Sequence, residues 1–107
     1  MRSGNIFSAI PGDLPQELCE TLLQTSGVRL ERLVSRGHAS AEGFWYEQEE
    51  AEWVLLLKGR AAVRIEGEEQ AVVMKPGDYL LLPAHCRHRV EWTAAAEETV
   101  WLALHLK

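Results

Sequence analysis

From Val28 onward the chain is cut into short apolar segments, rich in β-branched and aromatic residues, which alternate with glycine, proline or acidic turns. Segments 28–35, 43–48, 52–58, 60–66, 69–74, 79–82, 87–92 and 99–106 all have strand length. Nothing between them is long enough for the crossover helix of a βαβ unit, so an all-β sandwich or barrel is expected. Lys58-Gly59, Glu66-Gly67-Glu68 and Lys75-Pro76-Gly77-Asp78 supply the bends, because they carry residues that take positive φ or pre-set a turn. Residues 52–59 and 77–88 matter most. Each joins an apolar run to a turn glycine and carries one metal-capable side chain, Glu52 or His88. Both side chains are expected to point into one barrel.

A chain of 107 residues with 47% hydrophobic content can build one core and not two. The barrel is assigned to 28–107, and the first 27 residues read differently. Residues 1–12 show no period and suggest an arm laid on a surface. Asp13 with Gln16 three positions on fits a capping box, Pro15 suits a first helical turn, and Leu14, Leu18 and Leu22 recur every four residues before Gly27. One short helix is predicted there, packed on the barrel through those leucines and Leu23.

The formal charge of -5 argues against a nucleic-acid or anionic-membrane partner, either of which needs a concentrated basic surface. Cys19 and Cys86 lie far apart without CxxC spacing, so reduced thiols in the cytoplasm are expected. No apolar run spans a bilayer and no leader pattern is present, so a soluble, unprocessed chain is expected. Nucleophile elbow, phosphate-cradling loop and CxxC pair are all missing from the sequence.

The spacing around His88 resembles the second motif of the cupin superfamily, small double-stranded β-helix barrels related to the jelly roll. Gly77, Pro83 and His88 match in register, while His85 stands where that motif has a glycine and Trp92 where it has an asparagine. The family's first motif, His-x-His followed by Glu and Gly, is matched at Glu52 and Gly59 but lacks both histidines. The resemblance covers most of 28–106. It implies a jelly-roll barrel and a site near Glu52 and His88, with iron, manganese, nickel or zinc as the divalent metals such sites take.

What replaces the missing histidines depends on strand register. A three-residue hairpin loop at 49–51 sets Gln48 opposite Glu52 with Tyr46 on the same face, whereas a four-residue loop substitutes Glu47 and Trp45. Three-residue loops are the more common, which favours Tyr46 and Gln48. The candidate metal set is therefore Gln48, Glu52 and His88, with Tyr46, Trp92 and His85 lining the pocket. Trp92 shares alternation with His88 and Val90, which predicts an inward ring, and Arg87, Arg89 and Glu91 then face outward. His85, three residues from His88, joins the site only if a turn intervenes. His38 reads as a surface residue and His105 as a hydrogen-bonded core or edge residue. Without metal, Glu52 can instead bond His88 or Tyr46 in a satisfied polar network.

Three functions compete on this reading. The first is a metal-dependent cupin acting on a small oxygen-rich molecule, with Tyr46 or Glu47 as acid or base. The second is a metal-free ligand-binding or isomerase-type cupin. The third is a filled barrel serving as an interaction module. A homodimer is expected, as the resemblance implies and because an open sheet leaves an exposed edge to cover.

Overall fold

A computed structural model describes Met1–Lys107 and contains eight strands and no helix. They are β1 (Leu18–Gln24), β2 (Val28–Ser35), β3 (Ala51–Lys58), β4 (Ala61–Ile65), β5 (Val72–Met74), β6 (Tyr79–Leu82), β7 (His88–Thr93) and β8 (Thr99–Leu106). All pairings are antiparallel. A five-stranded sheet runs β1-β2-β8-β3-β6 and a three-stranded sheet runs β5-β4-β7. Val54, Leu56, Leu82, Trp101 and Ala103 of the first meet Ala61, Val63 and Met74 of the second in one core.

Alternation decides which residues enter that core. On β3 it buries Glu52, Val54 and Leu56, and on β8 it buries Trp101, Ala103 and His105. Register then builds rows across the sheet: Leu56 lies opposite Trp101, Val54 opposite Ala103, and Glu52 opposite His105. Two rows are apolar. The third places a carboxylate beside an imidazole at one end of the barrel. Between β3 and β4 the chain turns on Gly59 at φ +93°, pressed so closely on β8 that an added Cβ would sit 2.4 Å from Thr99 Oγ1 and 2.8 Å from Glu98 O.

Three sequence expectations are corrected. The helix from Asp13 is not formed, because its leucine spacing of four is also two pleats of a strand and β2 offers an edge to pair with. Residues 18–24 pair with β2, Leu18 opposite Val34 and Gln24 opposite Arg29, with Leu22 as the extra residue of a bulge. The arm before them lies along β2, held by the buried Arg32, which donates to the Ile6 carbonyl at 3.1 Å and the Ser8 carbonyl at 2.6 Å and pairs with Glu20.

Segment 43–48 is not a strand and makes no hairpin with β3. Tyr46 alone forms a bridge, to His88, and β3 finds its partners in β6 and β8. Trp92 does not face the interior. Val63 lies opposite Val90 but Ala62 opposite Trp92, so Glu91 is the extra residue of a β-bulge that reverses the alternation beyond it. The Trp92 ring is consequently turned out, 42% exposed, and Thr93 is buried in its place.

Candidate functional site: a polar cavity at one end of the barrel

The alternation that fills the core with Val54 and Leu56 carries Glu52 inward at the start of β3, where it is 8% exposed. His88 opens β7 at the same exposure, and His105 near the end of β8 is 3% exposed. Pairing of β3 with β8 joins Glu52 to His105, and the bridge between Tyr46 and His88 fastens the remaining wall. In that bridge the Tyr46 N–H donates to the His88 carbonyl at 2.7 Å and the His88 N–H donates back at 3.1 Å. A cavity of about 280 Å³ opens between these side chains. Its apolar lining is Leu33, Val54, Val63, Leu82, Val90 and Trp101, and its polar lining is Glu17, Cys19, Glu31, Tyr46, Gln48, Glu52, His88 and His105.

The histidine protons can be placed from their partners. His88 Nδ1 lies 2.9 Å from the Cys86 carbonyl, which only accepts, so Nδ1 carries the hydrogen and Nε2 is turned toward Glu52 Oε1 at 3.5 Å. His105 Nε2 lies 2.7 Å from Glu31 Oε1 and 3.9 Å from Glu52 Oε2, so Nε2–H donates to Glu31. Its Nδ1 is buried without a partner, as is Oε1 of Gln48. Glu31 also accepts from the Cys19 thiol at 3.4 Å and meets Arg29 Nε at 3.6 Å.

These neighbours set the titration of the site. Burial by itself favours a neutral His88 ring, but Glu52, as close acceptor and as charge, together with the Cys86 carbonyl, outweighs it and holds the imidazole above its ordinary 6.5. Burial, reinforced by the charges of Glu17 and Glu52, raises the Tyr46 phenol further above 10, so it stays protonated at neutral pH. Burial and the adjacent Glu31 push the Cys19 thiol up to about 11. Glu17 is exposed as a residue, yet its carboxyl end reaches in to accept from the buried Ser35 hydroxyl at 3.0 Å. Burial there, with Glu31 adding repulsion, raises its pKa in spite of the Ser35 bond and His38.

Of the residues singled out from the sequence, Tyr46, Gln48, Glu52 and His88 line the cavity. The Tyr46 ring stacks on His88 with centroids 5.5 Å apart, and Phe44 meets Tyr46 edge-on at 4.9 Å. Tyr46 and Gln48 reach these places through pairing of their segment with the β7 side, where the His85 N–H donates to the Gln48 carbonyl at 2.7 Å, and not through the expected hairpin. His85 and Trp92 stay outside. The His85 side chain is 65% exposed, 3.9 Å from Glu47, on a residue with φ +64°. That positive φ accounts for the motif's glycine at this position, and the turn that demands it swings the imidazole into solvent.

Sequence reasoning missed Glu31, Glu17 and Cys19 and read His105 as a hydrogen-bonded core or edge residue without linking it to the site. A signal exists for His105. His105 alternates with Ala103 and Trp101 and so stands as a polar residue on an apolar inward stretch, whereas Glu31 shares its face with Arg29 and Ser35 as well as Leu33 and does not stand out.

Residues 34–105 match the family model described as Cupin domain, so the chain belongs to the cupins. A crystal structure from Ralstonia eutropha JMP134, provisionally named a mannose-6-phosphate isomerase, is 46% identical, with a TM-score of 0.97 over 100% of this chain and 99% of that one. A cupin superfamily protein from Desulfitobacterium hafniense DCB-2 gives a TM-score of 0.73 at 22% identity, over 91% of this chain and 83% of its own. KdgF from a Halomonas species gives 0.70 at 19%, over 89% and 85%, and these two more distant likenesses concern the fold alone. No curated protein matches the chain.

Proposed function

We propose that this cupin binds a compact polar molecule in the cavity and moves a proton on it through the Glu52–His88 pair, as an isomerase-type cupin does without metal. The observation that carries the reading is the 3.5 Å approach of His88 Nε2 to Glu52 Oε1 inside a cavity, with the ring locked by the Cys86 carbonyl. A carboxylate and an imidazolium side by side are a base and an acid held against the same ligand. One takes a proton from the bound molecule while the other returns one, and the protonated Tyr46 beside them offers a hydrogen bond to a carbonyl or hydroxyl oxygen. The provisional isomerase name of the Ralstonia relative supports the reaction class. A thermal-shift screen of small hydroxy-carbonyl compounds against the parent, His88→Gln and Glu52→Gln tests it. Stabilisation of the parent that both variants lose is the expected result. Compounds that stabilise all three equally bind elsewhere and overturn the assignment.

A second reading, a divalent cation, is favoured by the same distance. Two donors bonded to one small metal at about 2.1 Å with near-tetrahedral angles stand roughly 3.4 Å apart. No group of three His, Cys, Asp or Glu side chains is arranged to hold a metal, so a cation here would depend on the unpartnered Gln48 oxygen beside Glu52 and His88, a weak donor set. A cation there would supply Lewis acidity, with Glu52 and His88 as the residues that would hold it. Elemental analysis of untagged protein decides between the two: stoichiometric metal in the parent and none in Glu52→Ala or His88→Ala establishes the second.

The expected homodimer has a concrete candidate surface. The edge strand β6 exposes Tyr79 and Leu81, 64% and 61%, beside Trp53 on β3, whose ring lies 5.7 Å from Tyr79. Sedimentation of the parent as a dimer and of Leu81→Lys as a monomer supports that surface, and two monomers refute it.

A further inference from the structure

The cavity holds more acceptors than donors, its uncommitted side-chain donors including the Tyr46 hydroxyl and the Gln48 amide nitrogen. His88 spends its Nδ1 hydrogen on the Cys86 carbonyl and, when charged, faces its Nε2 hydrogen to Glu52; His105 spends its Nε2 hydrogen on Glu31 and leaves Nδ1 unpartnered. Gln48 Oε1 is buried with nothing donating to it. The only thiol in the lining gives its hydrogen to Glu31. To these acceptors the lining adds the carboxylates of Glu17, Glu31 and Glu52, and no lysine or arginine lines the cavity at all. With both histidines charged the lining carries one net negative charge and with both neutral it carries three, the Arg29 guanidinium meeting Glu31 at 3.6 Å from outside the lining.

A phosphate or carboxylate brings only acceptors and negative charge, so it finds few donors, chiefly Tyr46 and Gln48, and meets the three carboxylates as like charges. A hydroxyl satisfies acceptors one at a time and does nothing for the charge. An ammonium brings three donors, no acceptor and a positive charge, and so answers both deficits at once. Apolar walls of Val54, Val63 and Trp101 around it raise the strength of each such bond. We infer that the ligand of this cavity carries a primary ammonium group, received by Glu31, Glu52 and the Gln48 carbonyl oxygen, and that phosphorylated sugars are excluded.

This rests on the cavity being a ligand site, as proposed above, and goes further by naming the charge class. The test uses hexoses that differ in charge: D-glucosamine, D-glucose and D-glucose 6-phosphate, with untagged protein dialysed against chelator and followed by thermal shift and calorimetry. Glucosamine is expected to raise the melting temperature and the phosphate ester to leave it unchanged, with glucose giving less than glucosamine. Glu31→Gln lowers the glucosamine affinity about tenfold, the loss typical of one charge-assisted hydrogen bond. Because Glu31 also steadies His105, Glu17→Gln on the exposed segment serves as a second variant and weakens binding in the same direction. Equal or stronger response to glucose or its phosphate overturns the inference while leaving the ligand site standing. Response to manganese or zinc with none to glucosamine overturns it in favour of a metal, and silence to every hexose and both metals removes the ligand site with it.

Discussion

Gly59→Ala isolates the contact on which the β3–β4 turn depends. The substitution has two separable costs. Gly59 has φ +93°, a region where an L side chain costs about 1–2 kcal/mol. The new methyl then meets Thr99 Cα at 2.7 Å and Glu98 O at 2.8 Å, and these are backbone atoms at and just before the start of β8 that cannot rotate away. Overpacking of that kind costs about 1–3 kcal/mol more, for a total of about 2–5 kcal/mol. Gly67, at φ +91° with nothing within 4 Å of an added Cβ, provides the control. Gly67→Ala should show the conformational cost alone, about 1–2 kcal/mol. Urea unfolding of both variants measures the difference, which is the steric part. A Gly59→Ala loss no larger than that of Gly67→Ala would falsify the close approach of this turn to Thr99.

Three further outcomes are expected. Because the folded pKa of His88 lies above its unfolded 6.5, its contribution to stability is complete below that pH and lost as pH rises through the folded value; urea unfolding across that window should show a steeper decline for the parent than for His88→Gln, and equal slopes sink the idea. Trp101→Ala, at a ring 3% exposed, should cost about 3–5 kcal/mol, and Trp92→Ala, outside the bulge, about 1 kcal/mol or less; comparable losses in chemical denaturation would show that Trp92 faces inward after all. His85→Gly relieves a φ of +64° at the expense of unfolded-state entropy, so the net change should be a gain of about 0.5–1 kcal/mol, and a loss beyond about 1 kcal/mol in the same assay contradicts the turn.

Much of the barrel can be read in the sequence because strand patterning is local. Val28–Ser35, Tyr79–Leu82 and Thr99–Leu106 are found with the expected ends, since alternation and flanking turns act over a few residues. The stretch around Leu14, Leu18 and Leu22 misleads, because a four-residue spacing satisfies the helical period and the strand period alike, and only the free edge of β2 chooses between them. The site divides in the same way. Glu52 and His88 are identifiable by their spacing to Gly59 and Gly77, but Glu31 and Glu17 come from strand and arm positions with no motif of their own.

What the sequence determined by itself is therefore the class of fold and the two anchors of the site. Turn residues and period-two patterning are properties of neighbours along the chain. Tertiary structure decided how those pieces meet. One extra residue at Glu91 turned Trp92 out of the pocket, a bridge to Tyr46 replaced a hairpin, and pairing of β8 between β2 and β3 brought His105 to both Glu31 and Glu52. Such outcomes depend on register between strands remote in sequence, and a single-residue shift reverses every side chain beyond it.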